Sequence, residues 1–531
     1  MKKKSDLLTK IKEDMEQRKV VEELDRLIEE WPSLSTDEQK RTRNTILFDL
    51  HLLSIEDYEL CLNKLVKAKI IKKGEASRRL KEEASRRPKE EKNKNPQTVL
   101  SANFPGLIDI ATDDNGTIGY LVNTAGGLQS VPRWEIDGIQ HIPPGRDKLP
   151  FSLPQASEVL NWYVIDRDCQ LFDDLITYLK RFSYLPDDLW VIAACEVLLT
   201  YVQDHPDIQY LPELLFWGAG ERGKSRTGKA ICYASYRGIH LTDLRPANLF
   251  RFSQDMHATL FFDCKDLWRK AERSESEDIL LSRFEKGAKV TRVLYPERGA
   301  FNDMVHYDIY GPTIIATNER VDKLLDSRCI LITPPNRPSG YEKAIPKKAQ
   351  ELKERLTAWR ARVIDKPLPE IEPIQRLEGR LWDISEPLLQ VCKLTHPERM
   401  DTLVGALLEV AEQRIEDKKG STEGKIIASL FELSPKKENI SEWVILISEL
   451  LNSLNTDIPE KYRFSSPGLG KRLKAMGIKT RKIHGYAEVL LTRIEFNILL
   501  VQYGIIPSPT PGETLPNSTK AQEVENQSLR R

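Results

Sequence analysis

Apolar side chains recur at helical spacing through the first 95 residues, in LLTKI, VVEELDRLI and TILFDLHLLSIEDYELCLNKLVKAKII, so this stretch reads as amphipathic helix. Between Phe104 and Ile142 the pattern shortens to β-like runs. LIDIAT, TIGYLVNT and LQSVPRWEI predict a small β meander whose turns fall at Asp114-Asn115-Gly116 and Gly126-Gly127. Pro143-Pro144-Gly145, with Pro150 and Pro154, reads as a linker. From about Glu158 helical patterns return, in VLNWYVI, LFDDLITYLKRFSYL and DDLWVIAACEVLLTYV, and then strands alternate with helices as far as about Pro335. That alternation predicts an α/β domain with a mainly parallel sheet. A charged helix over 342–364 leads to Pro367, Pro369 and Pro373; residues 376–455 read as mostly helical and 456–504 as a compact helix-plus-hairpin unit. Beyond Ile506 the composition predicts a disordered tail. The expected divisions are therefore a charged helical region at 1–100, a small β region with linker at 101–157, an α/β domain at 158–365, a helical connector at 366–455, a C-terminal module at 456–505 and a tail at 506–531.

The 531 residues suffice for several domains and at least one large core. Lys plus Arg and Asp plus Glu both number 80, so any attraction to nucleic acid must come from local patches. Residues 71–94 hold ten basic and five acidic side chains, and read either as a solvated helix or linker or as a nucleic-acid arm. The seven cysteines form no CxxC pair, which speaks against a zinc site or a disulfide framework. No apolar run approaches 18 residues, so the expectation is a soluble, cytoplasmic protein that does not cross a membrane.

The strongest chemical signal is LLFWGAGERGKSRTGKA. Gly218, Gly223, Lys224 and Ser225 fit the GxxxxGK[ST] phosphate loop, after an apolar run (Leu214 to Trp217) and before a helical stretch. In such a loop, Gly218, Ala219, Gly220, Glu221, Arg222, Gly223, Lys224, Ser225 and Arg226 would wrap the phosphates. Backbone N–H groups turn inward, Lys224 reaches the β and γ phosphates of ATP, and Ser225 holds Mg2+. A second strand, ATLFFDCKDLW, ends on Asp263, the candidate magnesium-side acid. In most ATPases of this kind a glutamate follows and polarises the attacking water; here Cys264 follows, and the nearest acid is Asp266. Either Asp266 is the base, or another group positions the water, or hydrolysis is slow. A third strand, GPTIIATNER, ends on Asn318, a candidate to orient water or the γ-phosphate. Arg328 stands just before a further strand, where it could point out of its own subunit at a neighbour's γ-phosphate.

This order of phosphate loop, Asp-ended strand, Asn-ended strand and Ser-Arg before the last strand resembles the AAA+ ATPases. It looks most like the hexameric helicase motors of phages, plasmids and cassette elements, of the superfamily III and minichromosome-maintenance-like type. The resemblance implies a P-loop AAA+ parallel-sheet domain binding Mg-ATP through Lys224, Ser225 and Asp263. It makes Asn318 a sensor, Arg328 a finger acting across a homo-oligomeric ring, and Arg376 or Arg380 a second sensor on a helical lid. It also implies that two strands in FEKGAKVTRVLYPERGAFNDMVHYDIYG form a channel hairpin, with Lys289 and Arg292 on the flanks and Arg298 near the tip contacting single-stranded DNA.

Residues 461–493 hold nine Lys or Arg against Glu488 alone. A helix with Leu469, Leu473 and Met476 inward would present Lys471, Arg472 and Lys474, and a hairpin would add Lys479, Arg481 and Lys482. This resembles the winged-helix domain ending many mobile-element helicases. The patch binds DNA, or it is a solvated basic face or a site for an acidic protein. Three readings of the whole follow: an ATP-driven DNA helicase in replication of a mobile element, an ATP-gated DNA-binding initiator or regulator, and a small-molecule kinase. The kinase reading leaves the basic C-terminus unexplained. Asp109, Asp113 and Asp114 form no clear metal-binding cluster, so a primase, if the system has one, is expected on another chain.

Overall fold

The computed structural model describes residues 20–50, 53, 55–86, 97–294, 301–336, 340–434, 442–456, 458–484 and 486–506. Arg298 and most of the expected tail lie outside the described residues. Among the described residues, no helix is long and apolar enough to cross a membrane.

The chain divides into two units, residues 1–98 with 136–140, and 99–135 with 141–531. In the first, α1 (residues 20–30), α2 (Thr36–Asp49), α3 (Ile55–Lys67) and α4 (Lys73–Arg86) enclose Leu24, Leu27, Ile46, Leu50, Tyr58, Leu62 and Leu65. The stripe predicted from periodicity supplies this core. The basic segment is helical over α4, where Glu75 accepts both contacts of the Arg43 guanidinium at 2.6 Å.

After β1 (Gln97–Leu100), strands β2 (Leu107–Thr112), β3 (Ile118–Thr124) and β4 (Gly127–Val131) form the antiparallel meander, followed by β5 (Trp134–Ile136) and β6 (Ile139–Ile142). The Asp113 carboxylate accepts the N–H groups of Asn115 and Thr117, and Gly116 takes a φ of 80°, which fixes the first turn. The meander packs Ile108, Ala111, Leu121 and Leu128 onto α5 (Ala156–Ile165).

Helices α6 (Asp168–Lys180) and α7 (Asp187–Tyr201) lead to β7 (Glu213–Trp217), α8 (Lys224–Ala234), β8 (Ile239–Leu241), α9 (Pro246–Gln254) and β9 (Leu260–Asp263). Short helices α10 (Leu267–Arg273) and α11 (Glu277–Ser282) precede the hairpin β10 (Lys289–Val293) and β11 (Met304–Asp308). Strand β12 (Thr313–Thr317), α12 (Lys323–Asp326) and β13 (Cys329–Ile332) complete the sheet, whose five parallel strands run β13-β7-β12-β9-β8. Helix α7 is buried from Trp190 to Tyr201, as its nearly continuous apolar sequence requires.

Helix α13 (Gln350–Val363) is shorter than the charged helix expected from 342, because Pro346 lies in a preceding 3-10 turn. It is also buried along most of its length. Lys353 donates to Ser235 O at 2.8 Å, while Arg360 pairs with Asp204 and caps the carbonyls of Leu107, Ile108 and Tyr201. Helices α14 (Arg380–Thr395) and α15 (Met400–Gly420) pack Leu388, Leu389, Leu403 and Leu407 into the same core as α7. The last described elements are α16 (Thr422–Leu433), β14 (Glu442–Leu446), α17 (Ile447–Asn455), α18 (Ser466–Ala475), β15 (Lys479–Ile483), β16 (Tyr486–Thr492) and α19 (Arg493–Gln502). Their strands form an antiparallel sheet, β14-β16-β15, over a core containing Ile426, Leu450, Leu469, Leu473, Val489 and Phe496.

Candidate functional site

The sheet register brings three candidates to one edge. Strand β12 lies between β7 and β9, with Ala316 opposite both Phe216 and Asp263. Gly218, Asn318 and Asp263 therefore leave adjacent strand ends, at the carboxyl edge where open parallel sheets bind ligands. Gly218 has φ 143° and Gly223 φ 82°; Glu221 is left-handed at 66° without being glycine. Lys224 is only 6% exposed and donates from Nζ to the carbonyls of Gly218 at 2.8 Å and Ala219 at 2.5 Å. Burial, then the nearby Arg222, holds its ammonium below the usual lysine range.

Ser225 Oγ donates to Asp263 Oδ1 at 2.7 Å, so the hydroxyl and carboxylate expected at the magnesium side are adjacent. His240 lies 3.7 Å and Lys229 4.0 Å from Asp263 Oδ2. His240, then the Ser225 hydroxyl and Lys229, holds the Asp263 carboxyl below its ordinary range despite partial burial. The Cys264 thiol is buried and points at Thr242 O, 3.4 Å away. Asp266 precedes α10 and lies 3.7 Å from Lys270; it does not line the phosphate-loop cavity.

That cavity, about 590 Å3, is lined by Gly220, Glu221, Arg222, Gly223, Lys224, Ser225, Arg226 and Asn318. It also has a wall not anticipated from the sequence: Phe182, Ser183, Tyr184, Pro335 and Tyr341. Ser183 Oγ accepts from Thr227 Oγ1 at 2.5 Å, and the segment carrying Tyr341 is tied down where Glu342 accepts from Arg181 and Lys348. Arg222 Nε is buried without a hydrogen-bond partner beside the loop, which suits an anion. Two adjacent oxygen donors, Ser225 and Asp263, suit magnesium, which takes few protein ligands.

Arg328 stands at the opposite edge of the sheet. Cys329 pairs with Glu213 at the start of β7, whereas the loop follows its end, roughly 13 Å further along the strand. Arg328 lies 5.0 Å over the Phe284 ring, with its Nη1 donating to Leu324 O and its Nε buried without a partner. Arg380 shares that ring at 5.4 Å and donates to Ser327 Oγ at 3.0 Å, and Arg376 pairs with Glu412. Neither Arg376 nor Arg380 lines the cavity of its own chain. Beneath Arg328, the Glu213 carboxyl is pushed up to about 8 by burial, against the pull of Arg283 and Arg328, and burial with Glu213 nearby drives Glu196 up as well.

Lys289 and Arg292 lie exposed on the hairpin, with Arg292 5.1 Å over the Phe250 ring. In the C-terminal module all of Lys471, Arg472, Lys474, Lys479, Arg481 and Lys482 are exposed. Three of these charges are partly answered within the chain: Arg472 by Glu423 at 2.9 Å, Arg481 by Glu488 at 3.0 Å and Lys479 by Glu495 at 3.7 Å. Asp109 is engaged by the buried Arg237 at 2.7 Å, and Asp114 accepts from Gln155 and Ser157.

No protein-family model matches the chain, and no curated protein matches it. Among solved structures it is similar to one titled "SCCmec type IV Cch - active helicase", with TM-score 0.34 and 11% identity, over 83% of this chain and 88% of that one. At that level of likeness the functional reading rests on this chain's own residues.

Proposed function

We infer that the chain is an ATP-dependent DNA helicase or translocase, assembled as a homo-oligomeric ring and acting in replication of a mobile element. The observation that carries this reading is the division of labour across one sheet. A phosphate loop with its Ser225–Asp263 pair occupies one edge, and an arginine with an unpartnered Nε occupies the other. An arginine so far from its own loop serves a neighbour's nucleotide, which requires subunits in head-to-tail contact. In this reading Ser225 and Asp263 hold Mg2+, which would neutralise charge on the β and γ phosphates. Lys224 exchanges its loop carbonyls for phosphate oxygens and Asn318 orients the water; Asp266, outside the cavity and 3.7 Å from Lys270, is the acid to be tested as its base. Arg380, beside Arg328, acts from the same side. Lys289 and Arg292 follow the backbone of a single strand, and the C-terminal module, read as a winged helix, adds salt-sensitive duplex affinity.

A second reading, an ATP-gated DNA-binding initiator that does not unwind, is favoured by Cys264. Its thiol turns into the interior at the position where a water-polarising glutamate would stand. The two readings separate in ATPase rates measured with and without single-stranded DNA on wild type and Asp266→Asn. DNA-stimulated turnover lost in the variant supports the motor, with strand displacement the next assay. ATP binding with negligible turnover in both conditions supports the initiator.

A further inference from the structure

One carboxylate joins the two regions that this reading assigns to DNA and to hydrolysis. Glu423 lies in the first turn of α16 and accepts Arg472 Nη1 at 2.9 Å on one oxygen and Lys323 Nζ at 3.4 Å on the other. Arg472 belongs to the basic face of α18. Lys323 opens α12, the single turn that ends immediately before Ser327 and Arg328.

The carboxylate sits on a rigid corner. Ser421 caps α16 by accepting the Gly424 N–H at 3.1 Å, and a Cβ on Gly424 would stand 2.3 Å from Lys418 O and 2.4 Å from Lys419 O, so the turn between α15 and α16 admits no larger residue. The same corner grips the finger segment elsewhere: Arg414 donates to Cys329 O at 2.6 Å, and Asp417 lies 3.4 Å from Arg320, two residues after Asn318. On its other side a cleft of about 500 Å3 opens, lined by Glu423, Lys471, Arg472, Ala475, Met476 and Tyr503. A phosphate entering there meets Lys471 and competes with Glu423 for Arg472.

We propose that Glu423 is a positioning residue for the arginine finger, released from Arg472 by DNA phosphate so that it binds Lys323 alone and holds the turn that carries Arg328. This rests on the helicase reading of the C-terminal patch and of Arg328. Coupling of this kind is reciprocal: whatever strengthens Glu423–Lys323 also frees Arg472 for DNA. Both pairs are partly exposed, so shifts of about two- to fivefold are expected in affinity rather than all-or-none behaviour.

Full-length wild type, Glu423→Gln, Lys323→Ala and Arg472→Ala are compared for anisotropy binding of a fluorescein-labelled oligonucleotide and for ATPase kcat and KM with and without it. Glu423→Gln should bind DNA two- to fivefold more tightly yet lose the DNA stimulation of kcat, with KM for ATP unchanged. Lys323→Ala should also lose stimulation but bind DNA more weakly, because Glu423 then belongs to Arg472 alone. The opposite affinity shifts distinguish a shared carboxylate from general damage, and the lysine and arginine variants carry the test if Glu423→Gln does not fold. Wild-type stimulation alongside unchanged affinity and stimulation in Glu423→Gln and Lys323→Ala overturns the joint alone. Wild-type protein that neither binds DNA nor responds to it overturns the DNA reading and the joint with it.

Discussion

Lys224 and Glu213 are both nearly inaccessible ionisable groups, yet burial acts on them with different consequences. Lys224 keeps three donors and has two carbonyl partners in the loop, so it is poised to trade neutral acceptors for anionic ones. Lys224→Ala is expected to lower ATP turnover roughly a hundredfold or more while sparing salt-sensitive DNA binding, as read by a coupled ATPase assay and a salt titration of anisotropy. Glu213 has no partner for Oε1 and is held neutral up to about pH 8. Its folded pKa lies above the unfolded value, so between roughly pH 4.5 and 8 the unfolded chain has lost a proton that the folded chain keeps, and stability falls as pH rises. The slope is about 1.4 kcal/mol per pH unit for one proton. Glu213→Gln should remove it, which urea unfolding at several pH values would show; an unchanged slope would contradict the assignment. The strand, loop and helix from Glu213 to Ala234 were legible because the motif is local. The importance of Glu213 and Glu196 was not, because it comes from a burial that single residues in apolar runs do not reveal.

Element packing decides whether the local motif becomes a site. The loop helix α8 approaches β9 so closely that a Cβ on Gly228 would stand 2.3 Å from the Phe261 ring. That approach is what lets Ser225 meet Asp263. Gly228→Ala should therefore destabilise the protein by about 1–3 kcal/mol and weaken ATP binding together, measured by thermal unfolding and nucleotide titration. Stability loss with unchanged nucleotide affinity would separate the packing from the site. Periodicity located the meander, the strands around Leu214 to Trp217 and Ile314 to Ala316, and the hairpin. It did not find β14, which falls in the stretch read as helical: EWVIL is too short and apolar for its period to be diagnostic, and its pairing partner β16 lies some 40 residues on. Helix α13 was legible as a charged helix, but not the burial of Lys353, Glu354, Arg355 and Arg360, because their partners Ser235, Gln155, Asp174 and Asp204 lie far away in the chain.

At the scale of the whole molecule, the proposed ring turns the separation of Arg328 from its own cavity into a prediction about mixed assemblies. Arg328→Ala should retain nucleotide binding and lose roughly a thousandfold in turnover. Mixing it with Lys224→Ala should restore part of the activity, because a mixed contact can join an intact loop to an intact arginine. Defined mixed oligomers with no recovery would remove the role across subunits. The sequence by itself determined the strand, loop and helix around Lys224, the strand ends that carry Asp263 and Asn318, the parallel α/β character and the basic C-terminal face, because each is written in local spacing, turn chemistry or charge. Only the tertiary structure decided that β12 lies between the loop strand and the acid strand, that Phe182, Tyr184 and Tyr341 wall the cavity, that Arg380 stands with Arg328, and that Glu423 touches both Lys323 and Arg472. Those facts depend on contacts between residues far apart in the chain, and strand order and side-chain meeting points are set by the packing of the whole core rather than by any one segment.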